Sequence, residues 1–172
     1  MNTHRFTIAD EMLEALPSGA LHWPAQNLLA GSDLHLGKSE RIARRSGQLL
    51  PPYETVETLA KLDAVLRDVM PRTVVSLGDS FDDLWAADAL DDPLRDEIMR
   101  LQNGRRWIWI AGTHDPGSPG IGGEEELREA LVATHGQRAP TGGPREAALL
   151  DLDALRLGLG LREPHPSDLR IG

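Results

Sequence analysis

The sequence contains no cysteine. This absence excludes disulfide bonds, thiolate zinc sites and cysteine nucleophiles, so any metal ion must be held by oxygen and imidazole ligands. Long apolar runs are also absent: no stretch approaches the about 18 residues that a membrane-spanning helix needs. The polar N-terminal residues do not resemble a signal peptide. We therefore expect a cytoplasmic protein without membrane contact.

Positive charge is scarce as well. The formal net charge is −9, which argues against a protein coated in basic surface for non-specific nucleic-acid binding. One local segment, 37–48, is the exception, and its charged residues are Lys38, Glu40, Arg41, Arg44 and Arg45. Two interpretations stay open: the segment contacts phosphates, or it forms a solvated helix face.

What the sequence does contain is ordinary globular composition, with 40% hydrophobic and 26% charged residues in 172 positions. This favours one domain, residues 1–172. Three short apolar runs that end near glycine, 27–32, 73–77 and 106–111, are typical of buried strands. Apolar spacing and flanking prolines predict helices over 54–70 and 93–101. Strands alternating with helices indicate an α/β fold with a largely parallel sheet.

The flanking segments give weaker signals. Residues 5–8 and 20–23 are strand candidates that we expect to pair with each other at a sheet edge. Glycines near residue 120 mark a loop, and an acidic run over 124–132 predicts a short helix. Segments 147–152 and 155–161 have the pattern of a hairpin.

Metal-type ligands follow each of the three predicted central strands. Asp33 and His35 come after the first, and in an extended chain residues two apart share a face, so both would reach one ion. Leu34 and Leu36 would then point into the core. Asp79 follows the second strand and the flexible Gly78, where its carboxylate is placed to bridge two cations. Its alternative role is a turn or helix-capping aspartate.

The third strand is followed by Thr113, His114 and Asp115. His114 is a candidate acid for a leaving oxygen, or a contact for a phosphate, with Asp115 fixing its tautomer. A plain turn before Pro116 is the alternative. Two further acids, Asp82 and Asp83, either orient a histidine or begin a helix in solvent.

A misleading similarity to a nucleotide-binding motif lies at residues 31–39, which begin with glycine and end in Gly37-Lys38-Ser39. The segment resembles a phosphate-binding Walker A loop, but five residues separate its glycines where the motif requires four. It also carries an aspartate and two leucines where backbone N–H groups would surround a triphosphate. The nucleotide-binding interpretation is therefore disfavoured.

Taken in order, Asp33-x-His35, Gly78-Asp79 and Gly112-Thr113-His114-Asp115 resemble the calcineurin-like metallophosphoesterase superfamily. Segments 32–41, 49–55 and 77–83 are most similar to the bacterial ligase-associated DNA damage response endonuclease (PdeM) family. The resemblance covers about His4 to Pro116 and implies an αββα sandwich. It also implies two divalent metal ions, commonly manganese, and hydrolysis of a phosphodiester by a metal-bridging water.

Transferred by position, the resemblance makes Asp33 and His35 ligands of the first ion and Asp79 a ligand of both, with His114 near the leaving group. Thr113 stands where the family has an asparagine ligand, so we expect weaker binding of the second ion. Lys38 and Arg41 are the expected substrate-binding residues. The substrate would be nucleic acid or another phosphodiester, with a DNA ligase or helicase as a repair partner.

The family's C-terminal Gly-x-His-x-His motif is missing from this sequence. His135 and His165 are the only later histidines, and either is a candidate replacement ligand. We expect a sandwich that is incomplete at the C-terminus, as in a truncated or frame-disrupted family member, with weak activity or none. The alternative is a non-catalytic remnant that binds nucleic acid or a repair partner.

Overall fold

The computed structural model describes residues 3–8, 10–48, 51–83, 85–110 and 121–126. These residues form a seven-stranded mixed sheet whose strands lie side by side in chain order. The strands are His4–Ile8 (β1), Glu11–Ala15 (β2), Leu21–Trp23 (β3), Leu28–Gly31 (β4), Thr73–Ser76 (β5), Arg106–Ile110 (β6) and Glu124–Glu126 (β7). The α-helices are Lys38–Ser46 (α1), Tyr53–Val69 (α2), Ala86–Ala89 (α3) and Asp92–Gln102 (α4).

The centre of the sheet is parallel, which confirms the predicted α/β fold. Strand β5 pairs in parallel with both β4 and β6, so the carboxyl ends of these three strands meet at one edge. Strands β1 to β4 are antiparallel. None of the described helices is long and apolar enough to cross a membrane.

The two faces of the central strands belong to different apolar clusters. Leu29, Val74 and Trp107 lie on the face that α2 and α4 cover, whereas their neighbours Val75 and Ile108 lie on the opposite face. In the described ranges, every buried apolar residue contributed by a helix belongs to the first cluster. The described part of the fold is therefore one helical layer on one sheet, and the predicted hairpin segments 147–152 and 155–161 lie outside it.

The predicted pairing of 5–8 with 20–23 is wrong, because β2 lies between β1 and β3 and pairs with both. The sequence obscures β2 because Glu11 breaks its apolar pattern. This side chain is only 3% exposed, and its carboxylate accepts a hydrogen bond of 3.0 Å from the indole Nε1 of Trp23. A partner nearby in the sheet offsets the cost of burying the acid.

The acidic helix predicted over 124–132 is wrong at its start. Glu124–Glu126 is strand β7, which pairs in parallel with Ile108–Ile110 of β6. Hydrogen bonding to an open sheet edge outweighs local helix propensity here. Gly123 permits the approach, because a Cβ at this position would lie 2.6 Å from Nε1 of Trp109. Residues 127–132 lie outside the described part of the chain.

Candidate functional site

The loops that follow β4 and β5 run side by side and are joined by main-chain hydrogen bonds. The N–H of Asp33 donates to the carbonyl of Gly78 at 3.2 Å, and the N–H of His35 donates to the carbonyl of Asp79 at 3.1 Å. A short parallel bridge between Leu36 and Phe81 continues this pairing. The backbone thus brings the predicted ligands Asp33, His35 and Asp79 together at the carboxyl end of the parallel strands.

The predicted extended geometry of Asp33 and His35 is wrong. Strand β4 ends at Gly31, and both residues adopt left-handed conformations, with φ of 56° and 46°. Asp79 has a φ of 48°. Left-handed residues other than glycine are costly and are often found at functional sites. Local backbone twisting, rather than strand alternation, therefore places these three side chains.

The imidazole of His35 lies between two carboxylates. Its Nε2 atom is 3.8 Å from Oδ1 of Asp33, and its Nδ1 atom is 3.3 Å from Oδ1 of Asp82. Two ligand bonds of about 2.0–2.2 Å each span up to about 4.3 Å, so one ion fits between Nε2 and Asp33. A carboxylate at the second ring nitrogen is the usual support of a metal-binding histidine. In the described residues the Nδ1 contact is not aligned as a hydrogen bond.

Asp82 and Asp83 connect this loop to α1 through ion pairs with arginines of that helix. Asp82 contacts both His35 and Nε of Arg41. Asp83 accepts hydrogen bonds of 2.6 Å and 2.8 Å from Nη2 of Arg44 and one of 3.0 Å from the N–H of Trp85. Burial alone would raise the pKa of Asp83, but these hydrogen bonds outweigh burial and lower it.

The basic segment is therefore half neutralised. Arg41, predicted to bind substrate, contacts Asp82, and Arg44 contacts Asp83. Lys38 and Arg45 are exposed, and within the described ranges neither forms an ion pair. These two side chains are the ones available to a phosphate.

The N-terminus of α1 is occupied by a carboxylate. Oε1 of Glu54 accepts a hydrogen bond of 2.7 Å from the N–H of Ser39. Burial alone would raise the pKa of Glu54, but the hydrogen bonds from Ser39 outweigh it and lower the pKa. An anion therefore already lies where a Walker A loop would hold a phosphate, which agrees with rejection of the nucleotide-binding interpretation.

Glu40 lies beside this carboxylate. Burial raises the pKa of Glu40 above its ordinary value of 4.5, and the nearby carboxylates of Glu54 and Asp91 add to the rise. In the described part of the chain its Oε2 atom is buried without a hydrogen-bond partner. The native state therefore holds the proton of the Glu40 carboxyl more tightly than the unfolded chain does. At a pH above the raised pKa of Glu40, the ionised carboxylate destabilises the fold.

We predict that Glu40→Gln stabilises the protein at neutral pH by about 0.5–1 kcal/mol after allowance for solvent screening. The gain should disappear as the pH falls below 4.5, since Glu40 is then protonated in both states. Urea unfolding of wild type and variant, at neutral pH and at a pH below 4.5, measures the difference in the free energy of unfolding. Glu57→Gln is the control, because exposed Glu57 pairs with Lys61 at 2.6 Å and should give no gain. Equal effects of Glu40→Gln at both pH values would contradict the assignment.

A cavity of about 380 Å³ adjoins Asp33, between α2 and the ends of the central strands. Its lining includes the apolar Leu29, Val74 and Trp107 and the polar Ser32 and Asp33. This cavity is not predictable from the sequence, because its walls come from segments far apart in the chain. It provides space for a substrate group beside the candidate site.

Several predicted site residues lie outside the described part of the chain: Thr113, His114, Asp115, His135 and His165. Within the described part, no three histidine, aspartate or glutamate side chains are grouped closely enough to hold a metal ion. Asp33 and His35 are thus a close pair of potential ligands, and Asp79 adjoins them through the backbone.

Comparison with known proteins supports the fold. The structure is similar to the crystal structure of the nuclease MPE from Pseudomonas putida, with a TM-score of 0.59 and 22% sequence identity. The likeness covers 73% of this chain and 60% of the nuclease. No protein-family model matches the sequence, and no curated protein is significantly similar to it.

Proposed function

We propose that this chain carries the site of a metal-dependent phosphoesterase of the calcineurin-like type that cleaves phosphodiester bonds in nucleic acid. The observation that carries the proposal is the hydrogen-bonded pair of loops that brings Asp33 and His35 beside Asp79. The fold likeness to a nuclease supports it. We propose nucleic-acid repair in the cytoplasm as its context, with a DNA ligase or helicase as partner.

The donor atoms fit a divalent ion such as manganese, because carboxylate and imidazole ligands suit such ions and no thiolate is present. Asp33 and His35 would hold the first ion, and Asp79 would contribute to both. Thr113 would give the second ion a weaker ligand than asparagine. When bound, such ions polarise a phosphoryl oxygen and lower the pKa of a bound water.

The chain's own residues would then complete the reaction. Lys38, at the exposed start of α1, would contact a non-bridging phosphate oxygen. Arg41 would act indirectly, since it fixes Asp82, which in turn faces Nδ1 of His35. A water that has lost one proton to solvent would bond through its oxygen to phosphorus as the ester P–O bond breaks, and a protonated His114 would donate its proton to the leaving alkoxide.

The test combines metal binding with catalysis. Isothermal titration should show Mn²⁺ binding to the intact chain, and slow, Mn²⁺-stimulated hydrolysis of an aryl phosphodiester should disappear on addition of a chelator. We expect low turnover, because the C-terminal histidine motif is missing from the sequence. Failure to bind Mn²⁺, or hydrolysis that survives both chelator and Asp79→Ala, would refute the proposal.

A second candidate is a non-catalytic protein that binds nucleic acid or a repair partner. The observation that favours it is that Lys38 and Arg45 on α1 are exposed and form no ion pair with any described residue. Salt-dependent binding of DNA by a chain that binds no Mn²⁺ would support this alternative over the first.

A further inference from the structure

Trp85 is exposed in a protein that buries its other tryptophans. The chain has four tryptophans, and Trp23, Trp107 and Trp109 are at most 2% exposed. Trp85 is 65% exposed. A large aromatic side chain left in solvent is unusual, and such residues commonly mark binding surfaces.

The position of Trp85 is fixed by the same acids that support the candidate site. Oδ1 of Asp83 accepts a hydrogen bond from the Trp85 N–H at 3.0 Å and another from Nη2 of Arg44 at 2.6 Å. The preceding residue, Asp82, contacts His35. Trp85 is therefore held next to α1, on the loop that also supports the proposed metal ligands.

Charges of both signs lie near Trp85: Asp88 of α3 is exposed, and the adjoining α1 carries cations. Asp83 neutralises Arg44, whereas Lys38 and Arg45 remain exposed and form no ion pair with any described residue. They lie seven positions apart on α1, a rise of about 10.5 Å along the helix axis. Burial, the largest influence on the pKa of Asp83, raises it, but the hydrogen bonds from Arg44 and Trp85 lower it. The charge of Arg45 makes a smaller contribution in the same direction, so Arg45 lies near Asp83.

We propose that Trp85 stacks on an unpaired base of a single-stranded nucleic acid whose phosphates contact Lys38 and Arg45. The inference rests on the proposed function, because it specifies how the substrate of that site is held. Stacking requires an open base face, which a duplex does not offer, and is tolerant of sequence. The bound strand would pass from Trp85 along α1 to the site at His35.

Self-association through this surface is disfavoured by the same charges. A symmetric contact between two copies brings each surface against itself. Such a contact would bury Lys38 and Arg45 of both copies, and each cation would lose solvation unless an acid of the other copy faced it. A nucleic acid offers bases to the exposed indole and phosphates to the exposed cations.

Tryptophan fluorescence provides a direct test, because Trp85 is the one solvent-exposed indole of the four. A short single-stranded oligonucleotide, titrated in chelator so that no hydrolysis occurs, should quench the exposed component of the emission. Oligodeoxynucleotide and oligoribonucleotide are titrated separately, and a duplex of the same sequence should quench little. Equal quenching by duplex and single strand, or no quenching, would refute the stacking.

Fluorescence anisotropy of a labelled single strand then measures affinity in the variants. Trp85→Ala should weaken binding by about tenfold, since a base stacked on an aromatic ring contributes about 1–3 kcal/mol, and Trp85→Phe should restore most of it. Met99→Ala, at an exposed apolar position on α4 (55% exposed), is the matched control. Arg45→Gln should reduce the slope of log K against log salt by about 0.7.

The failures of the two proposals are distinguishable. If Mn²⁺ binding is absent but Trp85-dependent binding of single strands is present, the catalytic proposal fails and the stacking stands. If Mn²⁺ binds but Trp85→Ala leaves affinity unchanged, the stacking fails alone. Loss of a dimer in Trp85→Ala, without a change in affinity, would assign the residue to self-association and also refute the stacking.

Discussion

The Asp79→Asn variant should bind Mn²⁺ at least about a hundredfold more weakly than the wild type and lose its Mn²⁺-stimulated phosphodiester hydrolysis. Outer-shell partners of metal ligands typically contribute about 10–100-fold, and a carboxylate that binds the ions directly contributes more. Asparagine keeps the shape of the side chain but removes its charge. It also tolerates the left-handed conformation at this position, where φ is 48°, so the fold should persist.

Two further variants separate ligation from general damage to the loop. Asp82→Asn should give an intermediate loss of about 10–100-fold, because Asp82 acts through His35. Asp96→Asn, an exposed position on α4 without an ion pair in the described residues, should have no effect. Isothermal titration with Mn²⁺ and initial rates measure all three. If Asp96→Asn matched Asp79→Asn, or if Asp79→Asn bound Mn²⁺ normally, the ligand assignment would be wrong.

The central elements were predictable because their signals are local. Helix α2 spans Tyr53–Val69, within one residue at each end of the predicted 54–70, because prolines flank a regular apolar stripe. Helix α4 begins at Asp92, where Asp91 accepts a hydrogen bond of 3.1 Å from the Leu94 N–H. Such caps and stripes are written into consecutive residues.

The errors occurred where distant partners decide the conformation. Glu11 is buried because the indole of Trp23 reaches it from another strand, and Glu124–Glu126 is extended because β6 offers a free edge. Neither fact is visible in a short window of sequence. Tertiary hydrogen bonds can outweigh local propensity by this route.

In the candidate site, too, features with local signals were predictable, and features set by distant contacts were not. Residue types and order predicted that Asp33, His35 and Asp79 lie close together, because strand ends of a parallel sheet converge. Their conformations were missed, since three left-handed residues arise from hydrogen bonds between two loops about 45 positions apart in sequence. The pairing of Arg41 with Asp82 is likewise a tertiary contact that the sequence alone does not show.

The Gly37→Ala variant should be destabilised by about 3 kcal/mol, because the added methyl group brings both backbone strain and a steric clash. Gly37 precedes α1 with a φ of 80°, and a left-handed conformation costs a residue with a Cβ about 1–2 kcal/mol. That Cβ would also lie 2.8 Å from Cβ of Ala86 and 3.2 Å from its carbonyl oxygen. Ala86 is fully buried, so relief requires movement of α3, and such overpacking costs about 1–3 kcal/mol.

Gly47→Ala separates backbone strain from the steric clash. Gly47 ends the same helix with a φ of 72° and has no atom within 4 Å of an added Cβ, so this variant carries the strain alone. It should be destabilised by only about 1 kcal/mol, from backbone strain alone. Urea unfolding of both variants gives the difference. Equal losses of stability would mean that α3 moves away from the added methyl group at residue 37 without measurable cost. A larger loss at Gly37 would show that α3, and with it the adjoining Trp85, is firmly held against the loop that carries His35.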